Sequence, residues 1–155
     1  MATTATDAYA IDEDGGPQRI LRVALADGRQ EWLVPGVPSD LRIDRLTSSD
    51  REVIATLSAT NPALGGGGLY SVAGTRTILR TAGEPTMLAV GDGHAYFSLV
   101  DEADSSALRI ERVSTDGTSR LLVARSRFHP RVGALTADRL IWATEPAVLA
   151  VKLPD

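Results

Sequence analysis

Few stretches of this chain combine residue types that do chemistry. Gly65 to Gly68 are four successive glycines, which would let a backbone approach a phosphate closely. A phosphate loop also needs a following Lys and Ser/Thr, or a glycine pattern that opens a helix. Here the chain continues as Leu69-Tyr70-Ser71-Val72, a strand pattern. The histidines are His94 and His129, with no HxH or HExxH pair and no cysteine, so a zinc set of usual spacing is absent. No GxSxG elbow is present, although a Ser-His-Asp triad is assembled in space and stays open at this level.

Two acidic clusters and one basic cluster remain. Asp12-Glu13-Asp14 and Asp101-Glu102 with Asp104 lie in short polar stretches, and Arg125, Arg127, His129 and Arg131 share the segment RSRFHPR. The acidic stretches lack the D-x-[DN]-x-[DN]-G spacing of a calcium loop. All ten residues are therefore expected to act, if at all, as loop-borne binding groups rather than as a catalytic or metal set.

The elements that must carry these residues are strands. Apolar residues come in runs of four to seven, rich in Val, Ile, Leu and aromatics, and broken by Gly, Pro, Asp and Ser. ADG at 26–28, GDG at 91–93 and TDG at 115–117 mark tight turns, where glycine takes a positive φ. The expected class is all-β.

Four segments stack on one another: DAYAI (7–11), DREVIAT (50–56), DGHAYFS (92–98) and DRLIWAT (138–144). The stack puts Tyr9, Ile54, Tyr96 and Trp142 in one column, at intervals of 42 to 46 residues. Further strand-like sets and Pro-containing links follow each segment in the same order. A four-strand unit of this length in tandem predicts β-propeller blades, with a β-sandwich as the alternative. The predicted units are 7–36, 37–83, 84–128 and 129–155, within a single propeller-type segment.

Residues 92–124, DGHAYFSLVDEADSSALRIERVSTDGTSRLLVA, resemble a blade of the TolB/YWTD-like group of bacterial propellers, and 138–155 resemble part of another. The second unit departs from that pattern, lacking the aromatic pair over 53–56 and the Asp of the turn at 73–74. With strands named A to D from the axis outward, the sequence predicts B–C–D, two full blades and a final A–B–C. That is about three and a half blades, an incomplete ring. The resemblance implies an extracytoplasmic setting, while the N-terminal residues carry no signal-peptide pattern. Lactonase-type propellers hold a channel metal on carboxylates and amides; the inner strands here offer only Asp44.

Composition narrows the partners. A net charge of −4 on 155 residues argues against non-specific nucleic-acid binding, and no apolar run is long enough for a membrane-spanning helix. Tyr9, Trp32, Tyr70, Tyr96, Phe97 and Trp142 lie within strand patterns and are expected to be buried between blades. The functional expectation is a non-enzymatic scaffold without a cofactor. It would present its B–C loops and D–A links to a protein partner, or to another copy that completes the ring. The alternative is the propeller portion of a peptidase- or lactonase-type hydrolase with catalytic residues elsewhere.

Overall fold

The computed structural model describes residues 1–12, 18–130, 132–145 and 147–153. Among them are fifteen strands and one 3-10 turn, so the all-β expectation holds. The strands form four antiparallel sheets in chain order, and the chain divides into two compact units, Met1–Glu84 and Pro85–Asp155.

The first unit holds two sheets. Sheet 1 runs β1 (Ala2–Thr3), β2 (Asp7–Asp12), β3 (Arg19–Ala24) and β4 (Gln30–Leu33). Sheet 2 runs β5 (Leu41–Ser48), β6 (Val53–Ala59), β7 (Gly67–Ser71) and β8 (Arg76–Thr81). The second unit holds sheet 3, with β9 (Thr86–Gly91), β10 (His94–Val100), β11 (Leu108–Ser114) and β12 (Arg120–Ser126). It also holds sheet 4, with β13 (Val132–Leu135), β14 (Arg139–Ala143) and β15 (Val148–Lys152).

One expectation is corrected at once. Sheet 1 does not begin in a B-type strand, because Ala2 and Thr3 pair with Tyr9 and Ala8 and supply a short A strand. Two residues with no periodicity of their own give no strand signal; only the pairing with β2 defines them.

Turn chemistry sets the register. Asp92 (φ 51°) and Gly93 (φ 73°) form a two-residue hairpin turn between the paired residues Gly91 and His94, the geometry that matches the strand twist. Gly28 (φ 72°) and Gly117 (φ 75°) take positive φ in the longer turns, 25–28 and 115–118, between third and fourth strands.

Alternation along the strands then decides which face is buried. In the first unit, Tyr9 and Ile20 of sheet 1 pack with Ile43, Val53, Ala55 and Leu57 of sheet 2. In the second, Leu88, Tyr96 and Ile110 of sheet 3 pack with Leu140 and Trp142 of sheet 4. Glycine allows close approach at this contact. A Cβ on Gly133 would sit 2.8 Å from Leu88, and one on Gly91 would sit 2.9 Å from Leu135.

These contacts correct the aromatic column. Tyr9 and Tyr96 point toward the sheet that follows them, whereas Trp142 points back toward the sheet that precedes it. Trp142 therefore stands one residue out of the column, since a one-residue slip reverses the face. Burial between sheets holds for Tyr9, Tyr70, Tyr96 and Trp142, and Phe97 is buried too, but Trp32 is 48% exposed. Trp32 pairs across β3 with Leu21, on the face of sheet 1 turned away from sheet 2, and the Arg19 guanidinium lies 4.5 Å from its ring centre.

The four glycines divide between loop and strand. Asn61 caps the one-turn helix Pro62–Leu64, its Oδ1 accepting from the Ala63 N–H at 3.1 Å. Gly65 (φ 61°) and Gly66 (φ 92°) then take conformations that side chains disfavour. Gly67 and Gly68 are buried strand residues of β7, paired on both sides. Glycine is required at 68, where a Cβ would meet the Leu79 carbonyl oxygen at 2.4 Å.

Candidate binding surface

Each sheet has two ends. The A–B and C–D hairpins gather at the turn end, and the B–C loops and D–A links at the loop end. Of the ten polar residues singled out from the sequence, Asp12, Asp101, Glu102, Asp104, Arg125, Arg127 and His129 belong to the loop end; Glu13, Asp14 and Arg131 lie outside the described residues.

Among the described residues the acidic members are engaged by neighbouring groups of their own sheet. Asp12 accepts from the Arg19 Nε at 3.0 Å and pairs with its terminal nitrogen at 2.5 Å, across the β2–β3 register. Asp101 is buried; its Oδ1 accepts from the Ala103 N–H at 3.0 Å and its Oδ2 from the Arg125 Nε at 2.9 Å. Asp104 accepts from both the N–H (3.0 Å) and the hydroxyl (2.6 Å) of Ser106. Glu102 lies 3.6 Å from Arg109, whose Nε lies 3.3 Å from the buried Glu111.

Both loop aspartates are held below the usual carboxylate range. For Asp101 the Ala103 N–H is the main cause and Arg125 the next. For Asp104 the Ser106 hydroxyl leads, followed by the Ser106 N–H. Local hydrogen bonds to the ionised form produce both shifts.

A third aspartate–arginine pair, Asp40 with Arg80, stands at the loop end of sheet 2 and was not anticipated. Sheets 1, 2 and 3 thus each carry one aspartate–arginine pair there. The sequence offered little sign of this, because the partners lie 7, 40 and 24 residues apart.

The exposed apolar side chains were not anticipated either. Val100, Phe128, Val132 and Val148 are 53%, 47%, 61% and 72% exposed, and all lie at the loop end of sheets 3 and 4. Val34 and Leu64 are similarly exposed at the loop ends of sheets 1 and 2, while Leu25, Leu121 and Leu122 are exposed in or just after the turns between third and fourth strands. Strand alternation alone would assign several of these to the core. In the second unit they share the loop end with Arg125, Arg127 and His129, all exposed. A surface of this composition, apolar with Arg and an aromatic, suits contact with another protein.

Crevices at the turn ends offer less. One of about 540 Å³ is lined by Tyr9, Asp7, Arg22, Asp50 and Arg51, among others. Its central charges already pair, Arg22 donating to Asp7 at 2.9 Å. Among the described residues no group of three or more His, Cys, Asp or Glu is placed to hold a metal ion. Among them, too, no helix is long and apolar enough to cross a membrane.

No family model matches the chain. No curated protein matches it either. Solved structures do, in 21 chains. One is a chain in the crystal structure of a nidogen/laminin complex, with a TM-score of 0.61 at 19% identity. That match covers 92% of this chain and 55% of the other, so the present chain spans about half the length of its structural counterpart. The likeness shows the fold: an all-β propeller, represented here by four antiparallel sheets.

Proposed function

We propose that the chain is a non-enzymatic binding scaffold whose loop-end surface, on sheets 3 and 4, is recognised by a protein partner. The observation that carries this reading is the gathering of Val100, Phe128, Val132 and Val148 at that end. Leaving large apolar side chains in water is unfavourable by about 25 cal/mol per Å², and a partner that covers them recovers that free energy. The internally paired acids play a supporting part. Asp101 fixes the loop 101–107 to the end of β12, so that the neighbouring Arg127, Phe128 and His129 are presented from a stiff frame. The similar chain comes from a complex of two proteins, which agrees with a protein partner.

Photocrosslinking tests the reading. A benzophenone side chain placed at position 128 is expected to give a discrete protein adduct in the source cell, whereas one at Thr118, at the turn end, gives none. Excess wild-type chain should suppress the adduct, and excess Phe128→Asp chain should not. Equal labelling from 118 and 128, or equal competition by the variant, would rule the surface out.

A further inference from the structure

Among the described residues, sheet 4 and sheet 1 each leave an apolar face uncovered, and the two faces are of opposite kinds. On sheet 4, the residues that alternate with Gly133, Leu140 and Trp142 form cross-strand rows on the other face. Val132, Ala143 and Val148 make one row, and Ala134, Ile141 and Ala150 the next. None of these six is buried. On sheet 1, the face turned away from sheet 2 carries the row Ala10, Leu21 and Trp32, flanked by Ala8 and Val23. Trp32 is the large exposed side chain at its centre.

Both stacks seen in the chain follow one rule. The face bearing Tyr9 or Tyr96 receives the opposite face of the next sheet, the one bearing Ala55 or Trp142. Sheet 4 leaves a face of the first kind uncovered, and sheet 1 leaves a face of the second kind. We infer that a second copy of this chain docks here head to tail, the outer face of its sheet 1 covering the open face of sheet 4. This deepens the assembly part of the scaffold reading and rests on it; the open face shares Val132 and Val148 with the partner surface but not Phe128 or Arg127.

Size and charge support that occupant. The small residues Ala134, Ala143 and Ala150 leave room for Leu21 and Trp32, as Gly133 leaves room for Leu88 inside the chain. With the ends aligned as in the two existing stacks, Arg139 and Lys152 at the turn end of sheet 4 meet the turn that carries Asp27. Strands of four, five and five residues give a face of roughly 220 Å² in projection, at ~3.3 Å per residue and ~4.8 Å per strand. One junction would bury about 450 Å² over both partners, below a stable interface, whereas two junctions approach the ~1,000 Å² a specific one needs. A symmetric pair makes both, because each copy offers one face of each kind.

Light scattering on the eluting chain is expected to give twice the monomer mass of 16.4 kDa. Ala150→Arg and Trp32→Glu should each shift the dissociation constant at least tenfold toward monomer while the far-ultraviolet strand spectrum is kept. Mixing the two variants restores one intact junction, so a mixed pair should form more readily than either variant alone. A monomeric wild type would overturn the proposal. So would dimers of Trp32→Glu as tight as wild type, which would mean like-to-like pairing of sheet 4. Phe128→Asp should leave the dimer intact, so loss of partner binding and loss of self-association are read separately.

Discussion

Arg125, at the end of β12, donates from Nε to Oδ2 of the buried Asp101 at 2.9 Å, across a separation of 24 residues. Oδ1 of the same carboxylate accepts from the Ala103 N–H two residues on, as in an Asx turn. The Asp101 N–H and the Ala107 carbonyl close the loop at 2.9 Å. The loop 101–107 is therefore built on one carboxylate, and its neighbours are presented at fixed positions.

Protonating that carboxylate should loosen the loop and the fold together. Asp7, Asp40, Asp101 and Asp104 are all held below the ordinary 3.8, led respectively by Arg22, Arg80, the Ala103 N–H and the Ser106 hydroxyl. A lowered folded-state value means that stability is fully present above pH 3.8 and is lost as pH falls through the lowered values. Urea midpoints measured from pH 6 down to pH 2 should fall in that acid range. Asp101→Asn should start from a lower midpoint and fall less steeply. An unchanged slope would show that Asp101 contributes nothing to the acid transition.

Gly68→Ala should destabilise the chain by about 2–3 kcal/mol, the upper range for overpacking. The added Cβ meets backbone, the Leu79 oxygen at 2.4 Å, so β7 and β8 must separate to admit it. Denaturant unfolding measures the loss. Gly36→Ala, where a Cβ meets nothing within 4 Å, is the control.

Thr75 is a β-branched residue at φ 48°, in the turn where sheets 1 and 3 place Gly28 and Gly117. Left-handed backbone costs a non-glycine residue about 1–2 kcal/mol. Thr75→Gly should therefore raise stability by about 1 kcal/mol after the added chain entropy is offset. A lower unfolding midpoint for Thr75→Gly would show that the turn is not strained.

The Gly36 N–H donates to the hydroxyl of Tyr70, a side chain with no exposed surface, at 3.2 Å. Burial raises the phenol above its ordinary 10.0, which the Gly36 hydrogen bond partly opposes. Tyr70→Phe keeps the ring and removes the acceptor, so a loss of about 1 kcal/mol is expected. Hydrogen exchange at Gly36 should quicken more than at its neighbours.

Much of the fold was legible because it rests on local chemistry. GDG at 91–93 forces a two-residue hairpin, and the alternation of Ala95, Phe97 and Leu99 with Tyr96 and Ser98 fixes a strand whatever lies beside it. The acidic loop residues were legible as loop residues for the same reason: Asp and Ser between apolar runs satisfy the backbone of turns. Tertiary structure decided what those residues do. Asp101 and Asp12 face arginines that only strand pairing brings near, so groups that looked like ligand contacts hold loops in place. Tertiary structure also decided the faces. Trp142 and Trp32 both sit in strand patterns, yet one is buried and the other is exposed beside Arg19. Alternation gives a strand two faces without saying which one a neighbouring sheet will cover. Val132 and Val148 stand in such strands and are surface because sheet 4 meets sheet 3 through Gly133 and Trp142 instead.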